Sequence, residues 1–218
     1  MRCTTVSAQT LYSATTFRRL LDSMARPGKI NQLEYPHLLE EPPRSHVQTR
    51  ATDTSLNLYA LGAMLTLLDR EVTFAISTEG HWLSQTSPLV QWLLLRSGST
   101  LTPPESALFA FFCEGRSNGL ITQLSRGTQL EPESSTTAFY CVRQLADRPA
   151  ENLDWLTLEL TGPGIEHMHR VSVTGLARSE IKLINLTRQG YPLGIDVYLI
   201  DSLGRCIGLP RTTNIKII

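Results

Sequence analysis

Near the end of the chain, Pro210-Arg211-Thr212-Thr213 follows directly on the apolar run Arg205–Leu209, and few stretches of the sequence are better equipped for chemistry. A guanidinium offers forked donors matched to a carboxylate or phosphate, and two neighbouring hydroxyls extend the set. Two physical readings stand open. Arg211 can face an anion, or it can pair with Asp196 or Asp201 and lock the hairpin that precedes it. Gly162-Pro163-Gly164-Ile165 sits after another strand-like run, where backbone donors can cradle an anion. Its spacing matches neither the P-loop nor the dinucleotide fingerprint, and a strained turn at a strand end explains it more simply. Arg26-Pro27-Gly28 stops a helical pattern, with Arg26 placed to meet a phosphate or merely to flank the turn. Turns at element ends are where α/β proteins present ligand groups. The expectation is therefore that Arg26, Gly162, Gly164, Arg211, Thr212 and Thr213 line one edge of a shared cleft.

Other candidates carry less. His167 and His169 would share a face of a strand and could offer two metal nitrogens, but no third ligand is spaced to join them, so a solvated edge is expected and no metal site. Cys3, Cys113, Cys141 and Cys206 form no CxxC pair and read as reduced, packed thiols. No nucleophile elbow, HExxH helix or carboxylate pair is present, so no catalytic residue can be named.

Composition sets the bounds. The 218 residues suit one unit spanning 1–218, with a hydrophobic fraction of 41%. Lys+Arg and Asp+Glu both total 20, which gives no bulk attraction to nucleic acid or an anionic membrane. Seventeen of the 20 cations are arginines, and the lysines are Lys29, Lys182 and Lys216. The N-terminal segment lacks an apolar stretch of signal-peptide length and no run reaches membrane-spanning length, so a soluble, cytoplasmic protein is expected.

The elements that must position these residues follow from periodicity. Phe17, Leu20, Leu21 and Met24 recur at helical spacing up to Arg26. Residues 36–50 hold three prolines and read as a loop. A longer helix carries Leu56, Ala60, Leu61, Met64, Leu65 and Leu68, with Asp53 or Thr54 as its expected cap. Strands are expected at 72–77, 107–113, 136–145, 155–160 and 169–173, helices at 88–95, 118–124 and 178–190, and a closing hairpin at 195–200 and 205–209. Apolar strands mixed with amphipathic helices predict an α/β fold, a mixed sheet covered by helices on both faces.

Four blocks, FRRLLDSMARPGKI at 17–30, ALGAMLTLLDREVTF at 60–74, LTGPGI at 160–165 and PLGIDVYLI with LPRTT at 192–213, together resemble the PhnH family of the bacterial carbon-phosphorus lyase system. They occur in the family's order and span nearly the whole chain, while 36–50 and 79–106 match less clearly. The resemblance implies a subunit of the carbon-phosphorus lyase core complex, in which other core subunits are partners and a nucleoside triphosphate and an alkylphosphonate are the substrates. The complex is associated with transfer of the phosphonate to the ribose C1 of ATP or GTP and release of the purine, giving ribose 1-methylphosphonate 5-triphosphate when the phosphonate is methylphosphonate. It further implies a homodimer whose fold resembles the large domain of pyridoxal-phosphate-dependent transferases without that cofactor, and LVQWLLL at 89–95 could supply surplus apolar surface for such an assembly. No cysteine triplet is present for an iron-sulfur centre, so the chain is not the lyase subunit itself. The alternatives are a scaffolding or assembly protein and a stand-alone phosphate-ligand enzyme of pyridoxal type, which would need a lysine for the Schiff base.

Overall fold

The computed structural model describes residues 7–37, 56–149 and 154–218. Helix α1 runs Ala8–Ala25, starting well before Phe17 because the Ser7 hydroxyl accepts the Thr10 amide and caps it. After the short strand β1 (Asn31–Gln32), α2 (Leu58–Leu67) begins at Asn57, whose side chain caps it by accepting the Ala60 amide. The expected caps Asp53 and Thr54, and all but the first two residues of the 36–50 loop, lie outside the described residues. There follow β2 (Thr73–Thr78), β3 (His81–Trp82), α3 (Pro88–Ser97), β4 (Thr100–Leu101), β5 (Phe109–Phe112), β6 (Thr137–Cys141), β7 (Gln144–Ala146), β8 (Leu156–Thr161), β9 (His169–Thr174), α4 (Arg178–Thr187), β10 (Asp196–Ile200), β11 (Arg205–Leu209) and β12 (Asn214–Ile217). The helix expected at 118–124 is a single 3₁₀ turn over Leu120–Gln123.

The α/β expectation and the mixed sheet hold. The larger sheet has the order β1-β11-β10-β6-β5-β2-β3, with β4 also on β2. Strands β2, β5, β6 and β10 run parallel, β4 runs parallel to β2, and β11, β1 and β3 are antiparallel additions. The β10–β11 hairpin is the one expected at 195–209.

Alternation then sends successive side chains to opposite faces. Phe74, Ile76, Phe111, Phe139, Tyr198 and Ile200 enter one buried cluster with residues of α1, α2 and α3. The segment 89–95 belongs to this cluster through Leu89, Val90 and Leu93, and of its apolar residues Leu95 alone is exposed, at 85%. Ala110, Phe112, Ala138, Tyr140, Val197 and Leu199 enter the other cluster, and what covers them corrects the expectation of helices on both faces. That face carries a second, four-stranded antiparallel sheet, β12-β8-β9-β7, together with Ile181 and Ile184 of α4. Its strands β8 and β9 fall where strands were expected, but the single run 136–145 divides at Val142 and Arg143 into β6 of one sheet and β7 of the other. No helix among the described residues is long and apolar enough to cross a membrane.

Candidate functional site

The parallel strands have two edges, and chemistry-bearing residues gather at both. At the amino edge stand the residues singled out from sequence. An added Cβ on Gly162 would fall 2.7 Å from the Thr212 carbonyl oxygen, and one on Gly164 would fall 2.5 Å from that of Ala25 and 2.9 Å from Pro27 Cδ, so the three turns do meet. They meet in close backbone contact. The Arg211 guanidinium is engaged throughout: Nη2 donates to Asp196 Oδ2 at 2.6 Å and to Ser135 Oγ at 2.5 Å, and Nη1 donates to the Pro132 carbonyl at 2.7 Å. Of the two partners open to Arg211 in sequence, the structure selects Asp196. Asp201 instead accepts the amides of Leu145, Leu203 and Arg205 and shapes the β10–β11 turn. Arg188 donates to the carbonyls of Leu209 and Thr213, and desolvation lowers its pKa to about 10 against the opposing pull of Asp196. Arg26 pairs with Asp22 on the surface of α1, and the Thr213 hydroxyl is buried with no partner among the described residues.

At the carboxyl edge, where open parallel sheets hold their ligands, a cleft of about 870 Å³ lies beyond the ends of β5, β6 and β10 and against the end of β9. Three loops build it. Cys113-Glu114-Gly115-Arg116 follows β5, Val142-Arg143 follows β6, and Gly175-Leu176-Ala177 joins β9 to α4. The first and third are bound together: Ala177 donates to the Gly115 carbonyl at 2.9 Å, and a Cβ at Gly115 would lie 1.8 Å from the Gly175 oxygen, so only glycine fits there. Tyr35, Tyr59 and Trp155 supply aromatic wall on other sides.

A buried acid fixes the post-β5 loop to α4. Glu180, 1% exposed, accepts the Ser117 amide at 3.0 Å, the Ser117 hydroxyl at 2.5 Å and the Tyr140 hydroxyl at 2.6 Å. Desolvation, then the charge and hydrogen bond of Glu180, hold the Tyr140 phenol well above its usual range, so it stays protonated and donates.

Arg116, Arg143 and Arg178 are the cations of this cleft, and Glu114 and Asp154 its acids. Sequence reasoning passed over all three arginines, although each stands a few residues past the end of a strand. Cys113 and Cys141 also line the wall, but desolvation raises both thiols, so they are packing groups and not thiolate nucleophiles. His169 Nε2 lies 3.8 Å from Asp147 Oδ1, and among the described residues no three His, Cys, Asp or Glu side chains gather as a metal site.

Comparison with known proteins covers nearly the whole chain. The family described as "Bacterial phosphonate metabolism protein (PhnH)" matches residues 5–216. A Rhizobium meliloti (strain 1021) protein named "Alpha-D-ribose 1-methylphosphonate 5-triphosphate synthase subunit PhnH" is 29% identical over 204 residues, covering 93% of this chain and 89% of that protein. The Stutzerimonas stutzeri "Putative C-P lyase subunit protein HtxG" is 28% identical over 204 residues, covering 93% of this chain and 85% of that protein.

Proposed function

The chain belongs to the PhnH family of bacterial phosphonate metabolism proteins, and on that premise we propose that it is a cytoplasmic, non-autonomous subunit of a carbon-phosphorus lyase core complex. That complex transfers an alkylphosphonate to the ribose C1 of ATP or GTP and releases the purine base. One observation carries the reading: the family match runs from residue 5 to residue 216, and both relatives, themselves named as subunits, are covered over most of their length.

Within this reading, 1–218 acts as one unit and the carboxyl-edge cleft is where it meets a substrate. The turn cluster of Arg26, Gly162, Gly164, Arg211, Thr212 and Thr213 serves to bind α1, β8 and β12 together. The fold is read as that of a pyridoxal-phosphate transferase large domain working without the cofactor. In support, none of the lysines lines the cleft: Lys29 pairs with Asp22, and Lys182 and Lys216 are exposed on α4 and β12. A homodimer is supported by Leu11, Phe17 and Leu21, which leave 62%, 44% and 52% of their surface exposed along α1.

Co-expression of the chain with the other core subunits, followed by assay of purine release from ATP and methylphosphonate, tests the reading. Assembly and turnover are expected to need this chain. A complex that forms and turns over fully without it would overturn the assignment.

A further inference from the structure

We propose that the carboxyl-edge cleft is a receptor for a polyphosphate chain, held by Arg116, Arg143, Arg178, the Thr174 hydroxyl and the open first turn of α4. This rests on the reading above in taking that cleft as the place where substrate is met.

The first support is charge left unmatched. Five other arginines are engaged: Arg26 on Asp22, Arg170 on Glu159, Arg211 on Asp196, and Arg188 and Arg205 on backbone carbonyls. The guanidiniums of Arg116, Arg143 and Arg178 are exposed, line one cleft, and have no hydrogen bond or ion pair to any other described residue. Of the cleft's two acids, Glu114 is engaged through one oxygen with the Thr78 hydroxyl at 2.8 Å and the Glu79 amide at 3.1 Å. Asp154 stands exposed at the rim.

The helix adds its own field. Ala177 and Arg178 bring the start of α4 into the wall, Ala177 offers no capping side chain, and the one acid of the first turn, Glu180, is bound inward to Ser117 and Tyr140. The Glu180 amide closes on the Ala177 carbonyl at 2.9 Å, which leaves the amides of Arg178 and Ser179 and the positive end of the dipole available to an anion.

Thr174 supplies the independent sign. It lines the cleft, it is 4% exposed, and its hydroxyl has no partner among the described residues. A buried hydroxyl without a partner calls for one; of the five such hydroxyls among the described residues, those of Tyr12, Thr16, Thr102, Thr174 and Thr213, that of Thr174 alone lines the cleft, where a phosphate oxygen would satisfy it.

The cations come from the loops after β5 and β6 and from the start of α4, three separate segments of the cleft wall, which suits a string of phosphates. The volume of about 870 Å³ is that of a small-molecule pocket.

Titration calorimetry of the full chain with inorganic tripolyphosphate tests the proposal. Saturable binding is expected, tighter than for orthophosphate and weakened by salt. Arg116→Ala, Arg143→Ala and Arg178→Ala should each weaken it about tenfold, the equivalent of one charge-assisted hydrogen bond. Thr174→Val should weaken it, Thr174→Ser should retain it, and Arg170→Ala, on β9 and outside the cleft, should leave it unchanged. No binding at millimolar tripolyphosphate, or equal losses in Arg170→Ala and the cleft variants, would overturn the site. Because binding is read on the chain alone, a chain that joins the other subunits yet ignores tripolyphosphate overturns this site and not the subunit assignment. The converse result overturns the assignment and not the site.

Discussion

Asp196 holds Arg211 through both its backbone and its side chain: Oδ1 accepts the Arg211 amide at 2.7 Å and Nε at 3.3 Å, while Oδ2 accepts Nη2 at 2.6 Å. The carboxylate stands at the first residue of β10 and the guanidinium on the turn between β11 and β12, so the pair ties the larger sheet to the strand that leaves it. The two side chains are only 16% and 24% exposed, which limits solvent screening.

Arg211→Lys keeps the charge but cannot reproduce contacts to Asp196, Ser135 and the Pro132 carbonyl together. We expect a loss of roughly 2–4 kcal/mol in urea unfolding of the isolated chain, with tripolyphosphate affinity unchanged because the pair lies at the opposite edge from the cleft. Unchanged stability in Arg211→Lys would refute this role.

Glu180→Gln replaces an acceptor of three hydrogen bonds by an amide that must turn a donor toward the Ser117 or Tyr140 donors. A destabilisation of roughly 2–4 kcal/mol is expected, since the group is buried and its partners lose their acceptor. Tyr140→Phe removes one of the bonds and should cost about 1–2 kcal/mol. Equal melting temperatures for wild type and Glu180→Gln would show that the network contributes nothing.

The thiols give a pH dependence with a definite sign. Desolvation, opposed by a hydrogen bond from Ser23, pushes Cys206 up to about 12, and desolvation also raises Cys113 and Cys141. An unfolded thiol ionises near pH 8.5, so above that value the unfolded chain holds fewer protons than the folded one and stability falls as pH rises. The contribution is complete below about pH 8.5 and is lost progressively toward pH 12, where Cys206 itself ionises. Melting temperature should therefore decline between pH 8.5 and 10.5, less steeply in a Cys206→Ala variant. Alkylation at pH 8 should label Cys141 and Cys206 only after denaturant is added, as read by peptide mass spectrometry.

Much of the fold was legible because alternation and helical spacing record burial directly. Phe109 to Phe112 and Val197 to Ile200 could only be strands covered on both faces, and Leu20 and Met24 marked the buried side of α1. The second sheet was hidden because the break at Val142 and Arg143 has no proline or glycine, and the alternating run passes through it without interruption. The site was hidden for a different reason. Periodicity identifies turns but does not say which edge of a sheet they occupy, so the amino-edge turn at Arg211 and the carboxyl-edge loops at Arg116 and Arg143 look alike in sequence. The pairing of Arg211 with Asp196 was one of two open readings, and strand direction was needed to set it apart from the edge that carries the cleft.

Gly208 of β11 lies so close to α1 that an added Cβ would fall 2.6 Å from the carbonyl of Ser23, and the Ser23 hydroxyl reaches Cys206 across 183 residues of sequence. A helix near one end of the chain therefore has its seat on a strand near the other. Such long-range closure is entropically slow. During synthesis α1 must wait, its Leu20 side uncovered, until β11 has been made, and a chain cut short before residue 205 would keep that helix homeless and prone to stick to its neighbours.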